Sequence, residues 1–506
     1  MMTFPQLSLN MTAAIAAFVA GFFINFFLTP YIVKSLGTEA YGFIGLTANI
    51  ISYTGLISIA LNSMAGRFIT IEYCKNKIDS ANKYYTSVFF SNIILSLIIA
   101  LLSLFFIIWM ESIVSIPQTL IFEVKMLFAL LALNNIFNLI SNTWGVSLFI
   151  KNRLDLGNIR NILGTVINAS TIVLCFSFFN IHLWYIGLAG FLLAAYTAIT
   201  NFRFAASLTP DLHIKKSYFD FGKIKELLKS GVWNLIAKLG DILGQGLDLL
   251  IANLFIGTIE MGMFAITKNI PFLILGLFQT ISGVFAPVFT KLYAQNKKDY
   301  LLKEIHKSIR FLSFFAVVPL VFLYIYGDCF FKLWLPTEDS SKLIRLTILG
   351  TFALPYTLPL ESLWNIFTVT NKIKVPTIFT VVNNLLVFAI VLGSMFFFDS
   401  PEKRLFVLAG TRSICGVVRG FFFLPMYGAH CLNIPKRTFF RDIFKSLFCL
   451  ALCLFACYRI RHITVPNSWT DLFIASAAIC IPCFIFSFII ILTKEDRRLI
   501  LKRIFS

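Results

Sequence analysis

The chain has 506 residues, 58% of them apolar and only 13% charged, with a mean hydropathy of +0.84. About a quarter of the residues of a soluble domain are charged, so this composition excludes ordinary soluble packing and points to an all-α polytopic membrane protein. Lys and Arg number 43 against 24 Asp and Glu, a net charge of +19; in such a chain the excess reports loop placement, and no nucleic-acid partner is needed to explain it.

Uncharged runs long enough to cross a hydrocarbon core of about 30 Å recur along the whole length. They define about fourteen spans, at 11–33, 41–62, 84–110, 121–148, 158–179, 183–202, 231–256, 262–290, 309–326, 343–369, 375–397, 404–428, 443–460 and 470–493. The first has neither a charged n-region nor a small-residue cleavage site and reads as a retained helix. Connections on the side of the termini hold Arg67, Lys75 and Lys77, then Lys151, Arg153 and Arg160, then Lys215, Lys216, Lys297, Lys298, Lys372, Lys374, Lys436 and Arg437. Positive residues stay cytoplasmic, so both termini are expected on that side.

The longest polar connection, 206–230, separates an N-lobe (1–205, spans 1–6) from a C-lobe (231–430, spans 7–12), leaving 431–506 for two extra spans and a tail. The lobes read as repeats. A shift of 220 residues brings Gly37-Thr38 onto Gly257-Thr258, Gly42 onto Gly262, Thr47, Asn49 and Ile50 onto Thr267, Asn269 and Ile270, and Trp144 onto Trp364. Six spans per copy make the repeats parallel, as in several transporter folds. No GxxxxGK[ST] or HExxH motif occurs, and no cofactor or metal is expected. Cys449, Cys453 and Cys457, with Cys480-Ile-Pro-Cys483, lie inside apolar runs. There Cys serves as a small apolar residue, though a CxxC elsewhere would raise redox or zinc chemistry.

Ionisable groups inside spans are functional candidates by default. In span 7, Asn234, Lys238, Asp241, Gln245 and Asp248 follow a 4-3-4-3 spacing that keeps them on one helix face. Lys238 and Asp241 are close enough for a purely structural pair, whereas Asp248 has no local cation and is the sharper coupling or gating carboxylate. Span 12 carries Arg412 and Arg419, span 8 Lys268, and span 10 Glu361 beside Pro355 and Pro359, which are expected to bend the helix. Fixed cations at Lys238, Lys268, Arg412 and Arg419 suit an anion such as a diphosphate; neutralisation by Asp241, Asp248 and Glu361 is the alternative. The first repeat offers Asn25, Asn49, Asn138 and Asn142, which fit sugar binding or simple helix–helix hydrogen bonding.

Thr29-Pro30-Tyr31 followed by Leu36-Gly37-Thr38-Glu39-Ala40-Tyr41-Gly42 resembles the helix 1–2 region of Wzx-type polysaccharide flippases of the MOP superfamily. Arg67 after Ala65-Gly66, Asp248 with Ile251 and Gly257, Gly262, Ala265 and Pro287 are similar to that family's pattern too. The resemblance implies a V-shaped pair of six-helix lobes plus two extra C-terminal helices, in a bacterial inner membrane. It also implies transport of an undecaprenyl-diphosphate-linked oligosaccharide from the cytoplasmic to the periplasmic leaflet by alternating access, serving O-antigen or lipopolysaccharide assembly. A polysaccharide polymerase and a chain-length regulator are the protein partners it suggests, with Arg67 a gating residue. Span 1 lacks the mid-helix cations of lipid II flippases, with Asn25 in that region. Two other readings stay open: a cation-coupled multidrug exporter of the same superfamily, and a membrane polysaccharide polymerase.

Overall fold

The computed structural model describes residues 4–461 and 465–498, and among them regular structure is entirely helical. Among the described residues twelve helices are long and apolar enough to cross a membrane, and the pair Thr38–Thr54 and Ser58–Cys74, bent by 69°, passes the same test taken together. The span expected at 231–256 is present but interrupted, as Phe221–Asp241, a π-helical turn Ile242–Gly246 and Asp248–Phe255. Its Lys238, Asp241 and Asp248 keep it out of the apolar class. With it, each of the expected spans has a helical counterpart. The helices often overrun the apolar runs, as in Ile78–Ile113 and Lys298–Trp334. A helix keeps its own backbone hydrogen bonds, so it can continue past the hydrocarbon into polar surroundings.

Five tight turns at the basic end share one device. Asn76, Asn152, Asn296, Asn371 and Asn433 adopt positive φ between 53° and 57° just past a helix end. After the first of these, the Lys77 and Asn76 amides donate back to the Glu72 and Tyr73 carbonyls, the pattern that satisfies the orphan carbonyls of a helix C-terminus. Asn tolerates the left-handed region better than any residue but Gly. Asn76 and Asn296 are again 220 residues apart. So are Gly37 (φ 84°) and Gly257 (φ 153°), which start the helices beginning at Thr38 and Thr258.

Two compact units emerge, one formed by Met1–Gly262 with Thr380–Leu385, the other by Met263–Phe379 with Leu386–Ser506. This division falls beyond the 206–230 connection, because the span 7 helix Phe221–Asp241 packs on Leu56–Cys74. In the first unit Leu61, Ile69, Tyr84, Tyr85, Val88 and Leu227 form one core. Close approach is bought with small residues, as packing rather than water exclusion drives helix association in lipid. A Cβ on Gly42 would lie 2.8 Å from Gly262 Cα, and Gly231 rests directly on the Ala60 backbone.

In the second unit Lys298–Trp334 presents Leu312, Leu320, Ile325 and Tyr326 to Cys449, Cys453, Cys457, Ile479 and Cys483 of the last two spans. All ten cysteines are free thiols, and Cys457 Sγ lies 3.5 Å from Cys483 Sγ inside this core. Outside the membrane-spanning helices, Asp496 accepts from Arg310 Nε at 2.7 Å and Thr493 Oγ1 at 2.7 Å. Burial pushes the Asp496 carboxyl up, but these hydrogen bonds outweigh it and hold the pKa below the usual carboxylate value. A depressed folded pKa gives stabilisation that is complete at neutral pH and is lost as pH falls below about 4. Asp496→Asn should therefore expose Arg497 and Arg498 to trypsin several-fold faster at pH 7, which a cleavage time course measures.

Candidate functional site

In the first unit the polar stripe of span 7 meets span 2. The sequence Ile242-Leu243-Gly244-Gln245-Gly246 forms a π-helical turn, a geometry that frees carbonyls from the regular ladder and recurs at functional positions. The Gly246 carbonyl accepts two side-chain hydrogen bonds from span 2, from Asn49 Nδ2 at 3.0 Å and from Tyr53 Oη at 2.5 Å. Asn49 and Tyr53 are one turn apart, so one face of span 2 supplies both donors. Asp248 follows the turn, buried at 6% exposure and within electrostatic reach of Tyr53. Asp241 is half-buried and Lys238 is exposed. The side chain of Gln245 lies outside the described residues.

The second unit holds a buried acid–base contact. Span 10 breaks at its prolines into Ser340–Thr351, Leu354–Thr357, a 3₁₀ turn Leu358–Leu360 and Leu363–Val369, as the positions of Pro355 and Pro359 predict. Glu361 sits in this break at 9% exposure, hydrogen-bonded to Gln279 and facing Arg419. Arg419 itself lies in a second π-helical turn, Val418–Phe423 of span 12. The two interrupted spans touch through Gly420, whose Cβ position would be 3.0 Å from the Tyr356 carbonyl oxygen. Beside them Ser308 and Ser362 share a hydrogen bond of 2.8 Å. Lys268 is half-buried above the Phe264 ring, 5.4 Å from its centroid, and Arg412 is half-buried on span 12.

Asn142 and Arg67 come together in the first unit, lining a cavity of about 520 Å³ at the basic ends of spans 2, 4 and 5. Asn142 donates to Asn62, which exchanges hydrogen bonds with Asn92 at 2.9 and 3.0 Å. Asn25 and Asn138 stand apart from it: Asn25 bonds the Gly21 carbonyl of its own helix, and Asn138 bonds Asn134. Sequence reasoning placed Arg160 among the loop cations. It lies instead six residues inside the helix Leu154–Phe178 and lines the same cavity. Its signal in the sequence is the polar cluster Asn158-Ile159-Arg160-Asn161, too dense for the edge of a lipid-facing helix.

The chain is similar to the uncharacterized membrane protein EpsK of Bacillus subtilis (strain 168), with 27% identity over 503 residues and 98% of each chain covered. It is also 26% identical over 223 residues to a probable lipid II flippase MurJ of Buchnera aphidicola subsp. Schizaphis graminum, covering 43% of this chain and 42% of that one. Among solved structures, a lipid II flippase MurJ in its inward closed conformation aligns over 95% of this chain and 98% of that one, at TM-score 0.66 and 16% identity. An inward-facing multidrug resistance MATE family transporter of the MOP superfamily aligns over 81% and 96%, at TM-score 0.65 and 14% identity. Such likenesses at low identity establish the fold, that of the MATE and MurJ transporters. A family match extends over residues 35–338, more than half of the chain: this multi-pass membrane protein belongs to the polysaccharide biosynthesis protein family.

Proposed function

We propose that the protein is a flippase that moves an undecaprenyl-diphosphate-linked oligosaccharide from the cytoplasmic to the outer leaflet by alternating access. The observation that carries this reading is where the spans are interrupted. Spans 7, 10 and 12 each lose regular α-helix next to an ionisable group: the turn Ile242–Gly246 lies between Asp241 and Asp248, the turn Leu358–Leu360 precedes Glu361, and the turn Val418–Phe423 contains Arg419. Irregular backbone at membrane depth is tolerated only where it is buried in protein or lines a cavity, and discontinuous helices with charged neighbours are how transporters build substrate sites. Membership of a polysaccharide biosynthesis family favours a sugar cargo over a drug.

In this reading the two repeats, 1–205 and 231–430, act as lobes about the cargo. Lys238, Lys268, Arg412 and Arg419 serve its diphosphate, Asn25, Asn49, Asn138, Asn142 and Gln245 its sugars, and Asp241, Asp248, Glu361 and Arg67 coupling or gating. Deleting the gene should abolish surface polysaccharide and leave the lipid-linked oligosaccharide in the cytoplasmic leaflet, measured by lipid extraction and leaflet-selective labelling. Intact polymer with raised sensitivity to cationic dyes would replace the flippase by an exporter.

A further inference from the structure

The cavity at the basic ends of spans 2, 4 and 5 has a charge balance that topology alone does not explain. Two cations, Arg67 and Arg160, line it together with neutral amides and the hydroxyls of Ser63 and Thr143, and no acidic residue does. An arginine at a helix end normally snorkels to water, and Arg67, which is exposed, fits that description. Arg160 does not. Its terminal nitrogens are held by neutral amides, those of Asn201 and of Asn161, the latter at 3.0 Å. Its Nε is buried without an acceptor. Asn201 is itself fixed at 5% exposure and donates to the Ser141 carbonyl at 3.3 Å. Space for it is left by Gly145, whose Cβ position would be 3.3 Å from Asn201 Nδ2.

An arginine drawn inward without a carboxylate leaves a charge uncompensated, which is costly unless a counter-ion arrives. Beside it stand the guanidinium of Arg67, which bonds no other described residue, and the amide of Asn158, likewise unbonded. The wall's only charged groups are the donors Arg67 and Arg160, and its acceptors are neutral amide and hydroxyl oxygens. Two guanidinium groups, each with a planar fork of N–H donors, suit two linked phosphoryl groups better than a single one.

We propose that this cavity is an anion site of the first unit that takes a diphosphate, with Arg67 and Arg160 as its ligands and Asn158 as an added donor. The inference rests on the flippase reading only for the source of the diphosphate, the headgroup of the lipid-linked cargo on the basic side. The cavity lies about 10 Å inside the helix ends, since Arg67 is seven residues from the end of its helix and each residue rises about 1.5 Å. That depth is shallow enough for a headgroup to enter from the basic side before its sugars are moved.

The test is titration of the purified full-length protein in detergent at low ionic strength with inorganic pyrophosphate, orthophosphate and sulfate. Pyrophosphate should bind more tightly than either single anion. Arg67→Gln and Arg160→Gln should each weaken it about tenfold or more, as expected for loss of a charge-assisted hydrogen bond. Arg160→Gln disturbs a packed contact with Asn201, so Arg67→Gln, at an exposed position, is the variant that decides if the other does not fold. Unchanged pyrophosphate affinity in Arg67→Gln, or equal affinity for pyrophosphate and orthophosphate, would overturn the site. Tight pyrophosphate binding in a protein whose deletion leaves lipid-linked sugars undisturbed would keep the site and remove the flippase reading. Loss of pyrophosphate binding in Arg67→Gln cells that still export polymer normally would overturn the cargo as its source.

Discussion

Glu361→Leu should destabilise the protein by about 3–5 kcal/mol, because it leaves Arg419 facing a buried site with its acid removed. The carboxylate is almost fully buried in the broken part of span 10, and its partners are Gln279 and the Arg419 guanidinium on the π-helical turn of span 12. Removing both charges is a different experiment. The double variant Glu361→Leu/Arg419→Leu should recover most of the lost stability, since an apolar pair of similar volume costs no desolvation, yet it should not recover polysaccharide export. Melting in detergent and a surface-polymer assay read the two effects separately. A single variant as stable as the parent would mean that Glu361 and Arg419 are not mutually dependent. Export restored in the double variant would make the pair structural only.

Gly42→Leu should be comparably severe, by a different route. A side chain at this position would run into Gly262 Cα at 2.8 Å and Met261 Cε at 2.9 Å, and backbone cannot swing aside as a flexible side chain does. Overpacking of this kind costs about 1–3 kcal/mol and more where backbone must move, so little folded protein should reach the membrane. Gly393→Ala supplies the control, because an added Cβ there meets nothing within 4 Å. It should be neutral or stabilise by up to about 1 kcal/mol through helix propensity. Equal yields of folded protein for Gly42→Leu and Gly393→Ala in a fluorescence size-exclusion assay would refute the close-contact argument.

The spans were legible because a run of some twenty uncharged residues has few alternatives to crossing a membrane. Their ends were not, since a helix such as Lys298–Trp334 continues into charged sequence with no change in backbone geometry. Prolines announced the break in span 10, where a missing N–H and a steric clash act locally. The π-helical turns at Ile242–Gly246 and Val418–Phe423 were not announced: one extra residue in a turn leaves no periodic trace. Sequence spacing placed Asn49 and Asp248 among polar candidates, but not the hydrogen bonds that Asn49 and Tyr53 make to the Gly246 carbonyl, which depend on packing between distant segments. Arg160 was hidden by its position. A cation six residues from a helix start reads as a loop charge until the walls around it are known.

Gly42 and Gly262 correspond to each other under the 220-residue repeat, and they also touch. Each of these positions therefore limits what the other can hold. In a single-copy ancestor both positions would be one codon, and no substitution there could be compensated by a smaller partner, because every change would arrive twice. Duplication and fusion lift that constraint: once the two glycines are separate codons, one side can grow while the other stays small, and the two halves can diverge in charge as these have.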